Sequence, residues 1–406
     1  MNVRIIKGTN QIGGCITEIT CNNTKIIIDY GEDLEDNTIP FELDGLTKGK
    51  SIYDAVFITH SHGDHIGLID LINDDISVYV EEKSLEIHNL TCDFTNKERV
   101  SRKINTFKIN NINDQGRVVF QNEDLKVSFY IGDHSSYNSV MYLIEGEGKK
   151  ILHTGDFRMH GRRRYAFLKS LNKIGKVDLL ITEGTTLTRG NNRFKTEEEL
   201  KEEATNVMKQ YDQVFIMQSS TNIDRLVSFI KAGLLTNHKV VLDLFSRYVA
   251  QTANIPTVVD NKNIFTWIPN KYKYKPDWFK EEYMNIEKSS KFFPNYVMFV
   301  KESMINDIRL LKQKGSIKNA CLIYSMWNGY IKKSESLRNF LDECNEMGIT
   351  ILNIHTSGHA DKTAMEKLNE ICDPNKTVII HTEDKTNGFN IFKNVQDLKD
   401  NENFKI

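Results

Sequence analysis

The sequence predicts a mixed α/β chain in which one domain is inserted into another. Three observations lead there. Short β-type runs fill the first third, longer helical patterns alternating with single strands take over after about residue 186, and short strands return near the end. The expected division is a first part over 1–186, an inserted α/β block over 187–345 and a return over 346–406.

The β-type runs lie at 3–7, 25–29, 55–59, 76–80, 118–121, 126–131, 140–144 and 150–153, separated by turn residues. Asn22-Asn23 stands between two such runs and reads as a hairpin turn. Helical patterns interrupt at 82–89 and 165–172. Past residue 186, Thr196 with Glu199 fits a capping box that opens a helix to about 210. Strands at 214–217 and 240–242 then alternate with helices at 222–232 and 245–252, the texture of an α/β block. Strands near 297–300 and 320–324 and a helix near 335–344 follow. The return reads as strand 350–354, helix 362–372 and strand 377–380. No repeat of 20–50 residues is visible.

The charge balance gives no global pull on any partner. The 406 residues carry 53 basic against 55 acidic side chains, a net −2, so no global field favours a polyanion and any basic footprint is local. Six scattered cysteines, none in a CxxC pair, read as reduced thiols of a cytoplasmic protein. There is no run of 18 apolar residues and no signal-peptide core at the N-terminus, so no membrane span is expected.

The sharpest signal is Thr59-His60-Ser61-His62-Gly63-Asp64-His65, directly after the apolar run Ala55-Val56-Phe57-Ile58. Three imidazoles and a carboxylate within six residues suit a borderline metal such as zinc. HxH at a strand end aims two rings at one ion, and Asp64 with His65 can serve a second. His134, in Gly132-Asp133-His134-Ser135, and Asp156, in His153-Thr154-Gly155-Asp156-Phe157, are further candidates at strand ends. A carboxylate between two ions holds them about 3.5–4 Å apart, and a water shared between them becomes hydroxide near neutral pH.

These residues resemble the metallo-β-lactamase superfamily. Asp29 in Ile28-Asp29-Tyr30-Gly31 matches its first motif, His60, His62, Asp64 and His65 the second, His134 the third and Asp156 the fourth. His381, after Val378-Ile379-Ile380, matches the last histidine. The resemblance implies an αββα sandwich and two divalent ions, zinc first, with manganese or magnesium as alternatives. It also implies that His60, His62 and His134 hold one ion, that Asp64, His65 and His381 hold the other, and that Asp156 bridges. Asp29 would hold the metal loop rather than a metal.

From Asp156 to His381 is 225 residues (381 − 156), room for an inserted domain. That pattern is similar to the β-CASP nucleases. Glu183, in Thr182-Glu183-Gly184-Thr185, fits their motif A, and His359, in His355-Thr356-Ser357-Gly358-His359-Ala360, fits motif B and looks most like the RNase J type. His381 fits the histidine of RNA-acting members at motif C. After it stands Thr382-Glu383, where RNase J-like chains usually have Gly-Glu. The resemblance implies a hydrolase of single-stranded RNA with a catalytic Asp64, His359 as general acid and Glu183 orienting it. Ser357, Gly358 and Ala360 would offer polar groups to a phosphate. A homodimer is a possible assembly.

Two basic stretches are local. Arg158, His160 and Arg162 follow Asp156 directly and are candidates for phosphates beside the scissile one. Lys271, Lys273 and Lys275 alternate with Tyr272 and Tyr274, which suits a single strand or a charged edge strand. Arg225 and Arg247 read as helix-surface or cap residues. Three other functions compete: a DNA nuclease, a thioesterase- or lactonase-like hydrolase, and a non-catalytic RNA-processing scaffold.

Overall fold

The computed structural model describes residues 1–34, 40–190, 193–259, 261–268 and 292–406. The chain divides into two compact units, Met1–Phe194 with Gly358–Ile406, and Lys195–Ser357.

The first unit is built on strands β1 (Asn2–Lys7), β2 (Ile16–Cys21), β3 (Thr24–Ile28), β4 (Ala55–Phe57), β5 (Ser77–Glu81), β6 (Asn105–Phe107), β7 (Arg117–Gln121), β8 (Leu125–Ile131), β9 (Val140–Gly146), β10 (Lys149–His153) and β11 (Leu179–Glu183). The second unit supplies β12 (Gln213–Met217), β13 (Lys239–Asp243), β14 (Ile264–Trp267), β15 (Tyr296–Phe299), β16 (Ala320–Tyr324) and β17 (Thr350–Asn353). The chain then returns to the first unit with β18 (Lys376–Ile380) and β19 (Asn403–Lys405).

Two sheets face each other in the first unit. One runs β19-β1-β2-β3-β4-β5-β6 and the other β18-β11-β10-β9-β8-β7. Strand alternation explains their packing. Ile26, Ile28 and Phe57 point inward and meet Val127, Phe129, Tyr142, Ile151 and Leu179 of the facing sheet. Ile27 and Val56, one residue out of phase, join an outer cluster with Ile66 and Ile69. Leu152, Leu180 and Ile379 on the far side of the second sheet pack against Phe167 and Leu171 of helix Arg164–Ile174 and Met365 and Leu368 of helix Lys362–Cys372. This is an αββα sandwich. Each fully buried Ile, Leu or Phe contributes about 1.5–3 kcal/mol. Asn22 takes the left-handed conformation (φ +48°) in the two-residue turn that pairs Cys21 with Thr24.

The second unit is a doubly wound sheet, β14-β13-β15-β12-β16-β17, with all strands parallel. Its inner strands are buried on both faces, as parallel strands under helices must be, while the edge strand β17 is exposed at Thr350 and Asn353. Two readings change here. Thr350–Asn353, expected in the return, pairs in parallel with β16, so the insertion runs over Lys195–Ser357 rather than 187–345. Arg225 is not a surface residue. It is fully buried, with Nη2 3.0 Å from Glu197 Oε1 and donating to the Thr356 carbonyl, and Nη1 2.6 Å from Ser325 Oγ. The sequence hides this because Glu197, in the acidic first turn of its helix, is itself buried. The lysine–tyrosine stretch at 271–275 lies outside the described residues.

All six cysteines are buried and none is disulfide-bonded. No described helix is long and apolar enough to cross a membrane.

Candidate metal centre

Every residue of the cluster belongs to the first unit and sits just past a strand end. β4 ends at Phe57 and the chain turns through Thr59–His62 into a single helical turn, Gly63–Ile66. The turn is pinned from both sides. Val140 N–H donates to Thr59 O at 2.9 Å, Tyr142 OH to Ile58 O at 2.8 Å, and Ser61 Oγ lies 2.9 Å from Ser136 Oγ. Gly31 allows the close approach of the β3 end: a Cβ there would lie 2.0 Å from the Asp64 carbonyl carbon.

Asp29 organises this turn without joining the cluster. It is buried, at φ +60°. Its Oδ1 accepts Thr59 N–H at 2.7 Å, and its Oδ2 accepts Thr59 Oγ1–H at 2.8 Å and lies 2.8 Å from His65 Nδ1. An ionised carboxylate only accepts, so His65 carries its proton on Nδ1 toward Asp29, and Nε2 faces the cluster. The same logic fixes His60. Thr59 Oγ1 gives its hydrogen to Asp29, so it accepts from His60 Nδ1 at 3.0 Å and leaves Nε2 as the lone-pair nitrogen. His381 sits at φ +53°, a conformation costly for a non-glycine residue, with its N–H held by Gly8 O at 2.8 Å and its Nδ1 by Thr185 Oγ1 at 2.8 Å.

The remaining nitrogens and oxygens converge. His60 Nε2 lies 3.1 Å from His62 Nδ1, which lies 3.2 Å from His134 Nε2. His381 Nε2 lies 3.2 Å and His65 Nε2 3.6 Å from Asp64 Oδ2. Asp156 is central: Oδ2 is 3.4 Å from His65 Nε2, 3.9 Å from His134 Nε2 and 4.0 Å from His60 Nε2, and Oδ1 is 3.7 Å from His381 Nδ1. Ligand atoms of His60/His62/His134, of His60/His65/Asp156 and of Asp64/His65/His381 lie within 4.8 Å of one another in each group.

Such a cluster is unfavourable without a cation. Imidazole nitrogens crowd together, and buried His65 Nε2 has no hydrogen-bond partner among the described residues. Burial drives His60 and His134 well below the ordinary histidine pKa and His62 down to about 4, so these rings stay neutral, the form that binds metal. Burial opposes ionisation of Asp64 and Asp156, yet neighbouring imidazoles win: His65 and His381 bring Asp64 to about 2, and His381, His65 and His359 hold Asp156 well below the carboxylate range. His65 is raised well above its usual value despite burial, by Asp156, Asp64 and Asp29. The donor set of imidazoles and carboxylates fits two divalent ions, and binding there would release protons.

Glu183 and His359 stand beside this cluster. Glu183 ends β11, buried, and accepts Phe157 N–H at 2.9 Å and Thr185 N–H at 3.3 Å. His359 Nδ1 lies 3.1 Å from Glu183 Oε2 and 3.6 Å from Asp156 Oδ2, and the ring is partly exposed. Burial lowers the His359 pKa, but Glu183 and Asp156 outweigh it and raise it.

The phosphate-binding expectations divide. Gly358 comes close to the His134 loop, where an added Cβ would meet Ser135 Oγ at 2.7 Å. Ser357 is buried and is the last residue of the second unit. The Ala360 side chain packs among Met365 and Leu368 and its carbonyl is taken by Thr186, so only its backbone N–H could serve a ligand. Arg158 is fully buried beside Asp133, its backbone N–H bonded to Asp133 O at 2.6 Å, so it is not a surface cation. His160 is buried too, edge-on to Phe194 at 5.6 Å. Arg162 is half-buried. The sequence reading assigned no role to Thr59, Thr185 or His153. The threonines had a signal, since each flanks a ligand motif; a lone strand-end histidine such as His153 had none.

Four likenesses to known proteins bear on this geometry. The profile of the beta-lactamase superfamily domain matches residues 24–210. The chain is 25% identical over 250 residues to ribonuclease J 2 of Streptococcus pyogenes, covering 58% of this chain and 44% of that one. It is 23% identical over 261 residues to ribonuclease J of Corynebacterium glutamicum, covering 60% and 34%. The chain thus matches less than half the length of these relatives. A crystal structure of a protein of unknown function from Enterococcus faecalis superposes with a TM-score of 0.80 at 19% identity, over 99% of both chains.

Proposed function

Because the chain belongs to the metallo-β-lactamase superfamily, in its β-CASP, RNase J-like branch, we propose that it is a two-metal phosphodiesterase that cuts single-stranded RNA in the cytoplasm. His60, His62 and His134 would hold one ion, Asp64, His65 and His381 the other, with Asp156 between them. Bound there, zinc (or manganese or magnesium) would supply Lewis acidity and acidify a water.

The observation that carries the reading is the Glu183–His359 pair, 3.1 Å apart and within 3.6 Å of Asp156. Glu183 accepts at His359 Nδ1, which turns Nε2 away from the pair. A ring kept protonated by two carboxylates can hand the Nε2 proton to a departing ribose oxygen, a poor leaving group that needs one. Glu183 is fixed by two backbone N–H groups, so it orients the ring rather than acting as the base. The products expected are a 5′-phosphate and a 3′-hydroxyl.

Product mapping tests this. One RNA sequence, as 5′-monophosphate and 5′-triphosphate, is incubated with the purified protein beside a matched DNA strand and a thioester substrate. Metal-dependent cleavage of RNA supports the reading. Cleavage of DNA or thioester alone overturns it, and purified protein without bound metal points to a non-catalytic scaffold.

A further inference from the structure

His153 takes no part in the cluster, yet it lies three residues before Asp156 at the end of β10 and is buried. Its two ring nitrogens are both engaged. Gly155 N–H donates to Nδ1 at 3.2 Å, so the ring hydrogen sits on Nε2 and is directed to Thr17 Oγ1, 3.3 Å away on β2. The imidazole therefore spans from one sheet to the other. Burial pushes its pKa down to about 4, so Nδ1 remains an acceptor through neutral pH.

The peptide that His153 grips is unusual. Gly155 is at φ +55°, and a Cβ there would meet Thr59 Cβ at 2.8 Å. Its carbonyl accepts Thr154 Oγ1–H at 2.7 Å. Both ends of this residue are thus held, one by Thr154 and one by His153, against the same Thr59 that Asp29 fixes. Asp156 follows immediately, so the orientation of Gly155 sets the origin of the central carboxylate.

We propose that His153 is a positioning residue for Asp156, acting through the Gly155 N–H and braced against Thr17. The proposal rests on the two-metal reading of the cluster. A histidine that merely satisfied a buried N–H would serve folding alone; His153 in this role serves metal affinity as well, as partners that orient metal ligands commonly do.

The test uses full-length, metal-free protein. Zinc affinity is measured by chelator competition for the parent, His153→Leu, His153→Asn and Thr17→Val, with the thermal midpoint of each metal-free variant measured in parallel. His153→Leu removes the acceptor, and is expected to weaken the second ion about 10–100-fold. His153→Asn places an amide oxygen where Nδ1 stood and is expected to recover only part of that loss, because it lacks the Thr17 bond. For RNA, kcat at limiting zinc should follow the affinity while KM stays unchanged. Parent-like affinity in His153→Leu overturns the proposal. So does an equal loss in the Leu and Asn variants that tracks their thermal midpoints. If His153→Leu does not fold, Thr17→Val is read instead, and parent-like affinity there has the same force. A parent protein that binds fewer than two ions overturns the metal reading itself, and this proposal with it, on a measurement independent of any variant.

Discussion

Glu183 Oε2 and His359 Nδ1 lie 3.1 Å apart although 176 residues separate them in the chain. The pair exists because β11 and helix Lys362–Cys372 belong to one unit on either side of the insertion. His359→Ala should lower kcat for RNA about 10²–10⁴-fold. Zinc content near two per chain should persist, because His359 is not one of the proposed ligands. Loss of metal in that variant, measured by elemental analysis, would sink the proton-donor role.

Asp29 should matter through others. Asp29→Ala leaves Thr59 N–H, Thr59 Oγ1 and His65 Nδ1 without their acceptor. Metal affinity is expected to fall about 10–100-fold. Chelator competition on the variant checks this, and affinity equal to the parent's would show that Asp29 serves only the fold.

Gly31→Ala tests the close approach of two backbones. The new methyl would collide with the Asp64 carbonyl carbon and with His65 N, 2.2 Å away, neither of which can rotate aside. A loss of about 3 kcal/mol is expected, together with displaced Asp64 and His65. Urea unfolding and metal content measure the two effects.

Glu81 gives a pH signature remote from the metal cluster. It caps helix Glu82–Thr95, accepting Ser84 N–H at 2.9 Å and Asn138 Nδ2–H at 2.9 Å. Burial still pushes its pKa up to about 7. Between an ordinary glutamate pKa near 4.5 and about 7, the folded chain holds a proton that the unfolded chain has released. Stability from this group is therefore full at low pH and declines as pH rises through that window, by at most about 3 kcal/mol. Glu81→Gln should gain stability relative to the parent between pH 5 and pH 8 in thermal melts. A difference that does not change with pH would contradict it.

Arg225→Met removes one half of a buried ion pair and leaves Glu197 charged in the core of the second unit. The expected loss is about 3–5 kcal/mol in denaturant unfolding. Arg225→Met combined with Glu197→Leu should recover much of it, and failure to recover would show that the hydrogen bonds to Ser325 and Thr356 dominate.

The strands that lead into the cluster were readable because an apolar run followed at once by histidine or aspartate has few other meanings. β4 before His60 and β18 before His381 are examples. The short strands β6, β14 and β19 lacked such punctuation and escaped notice. The start of the return was misplaced because Thr350–Asn353 looks the same beside either sheet; its partner, β16, is a tertiary choice. Arg158 and Arg225 misled for a related reason. A charge reads as exposed when its partner is distant in sequence, and Asp133 and Glu197 lie 25 and 28 residues away (158 − 133; 225 − 197). What burial does to a charged residue depends on that partner.

Strand β18 pairs in parallel with β11, Glu183 opposite Ile380, and delivers His381 to the cluster. The ribosome makes these two strands almost 200 residues apart. Until residue 380 emerges, β11 is an open sheet edge, and the cluster lacks an imidazole that stands 317 residues from its neighbour Asp64. A chain that stops before residue 381 cannot complete the cluster. In the proposed two-metal arrangement, an ion held by Asp64, His65 and His381 would therefore report that synthesis has passed through the whole insertion and that the two halves of the sandwich have found each other.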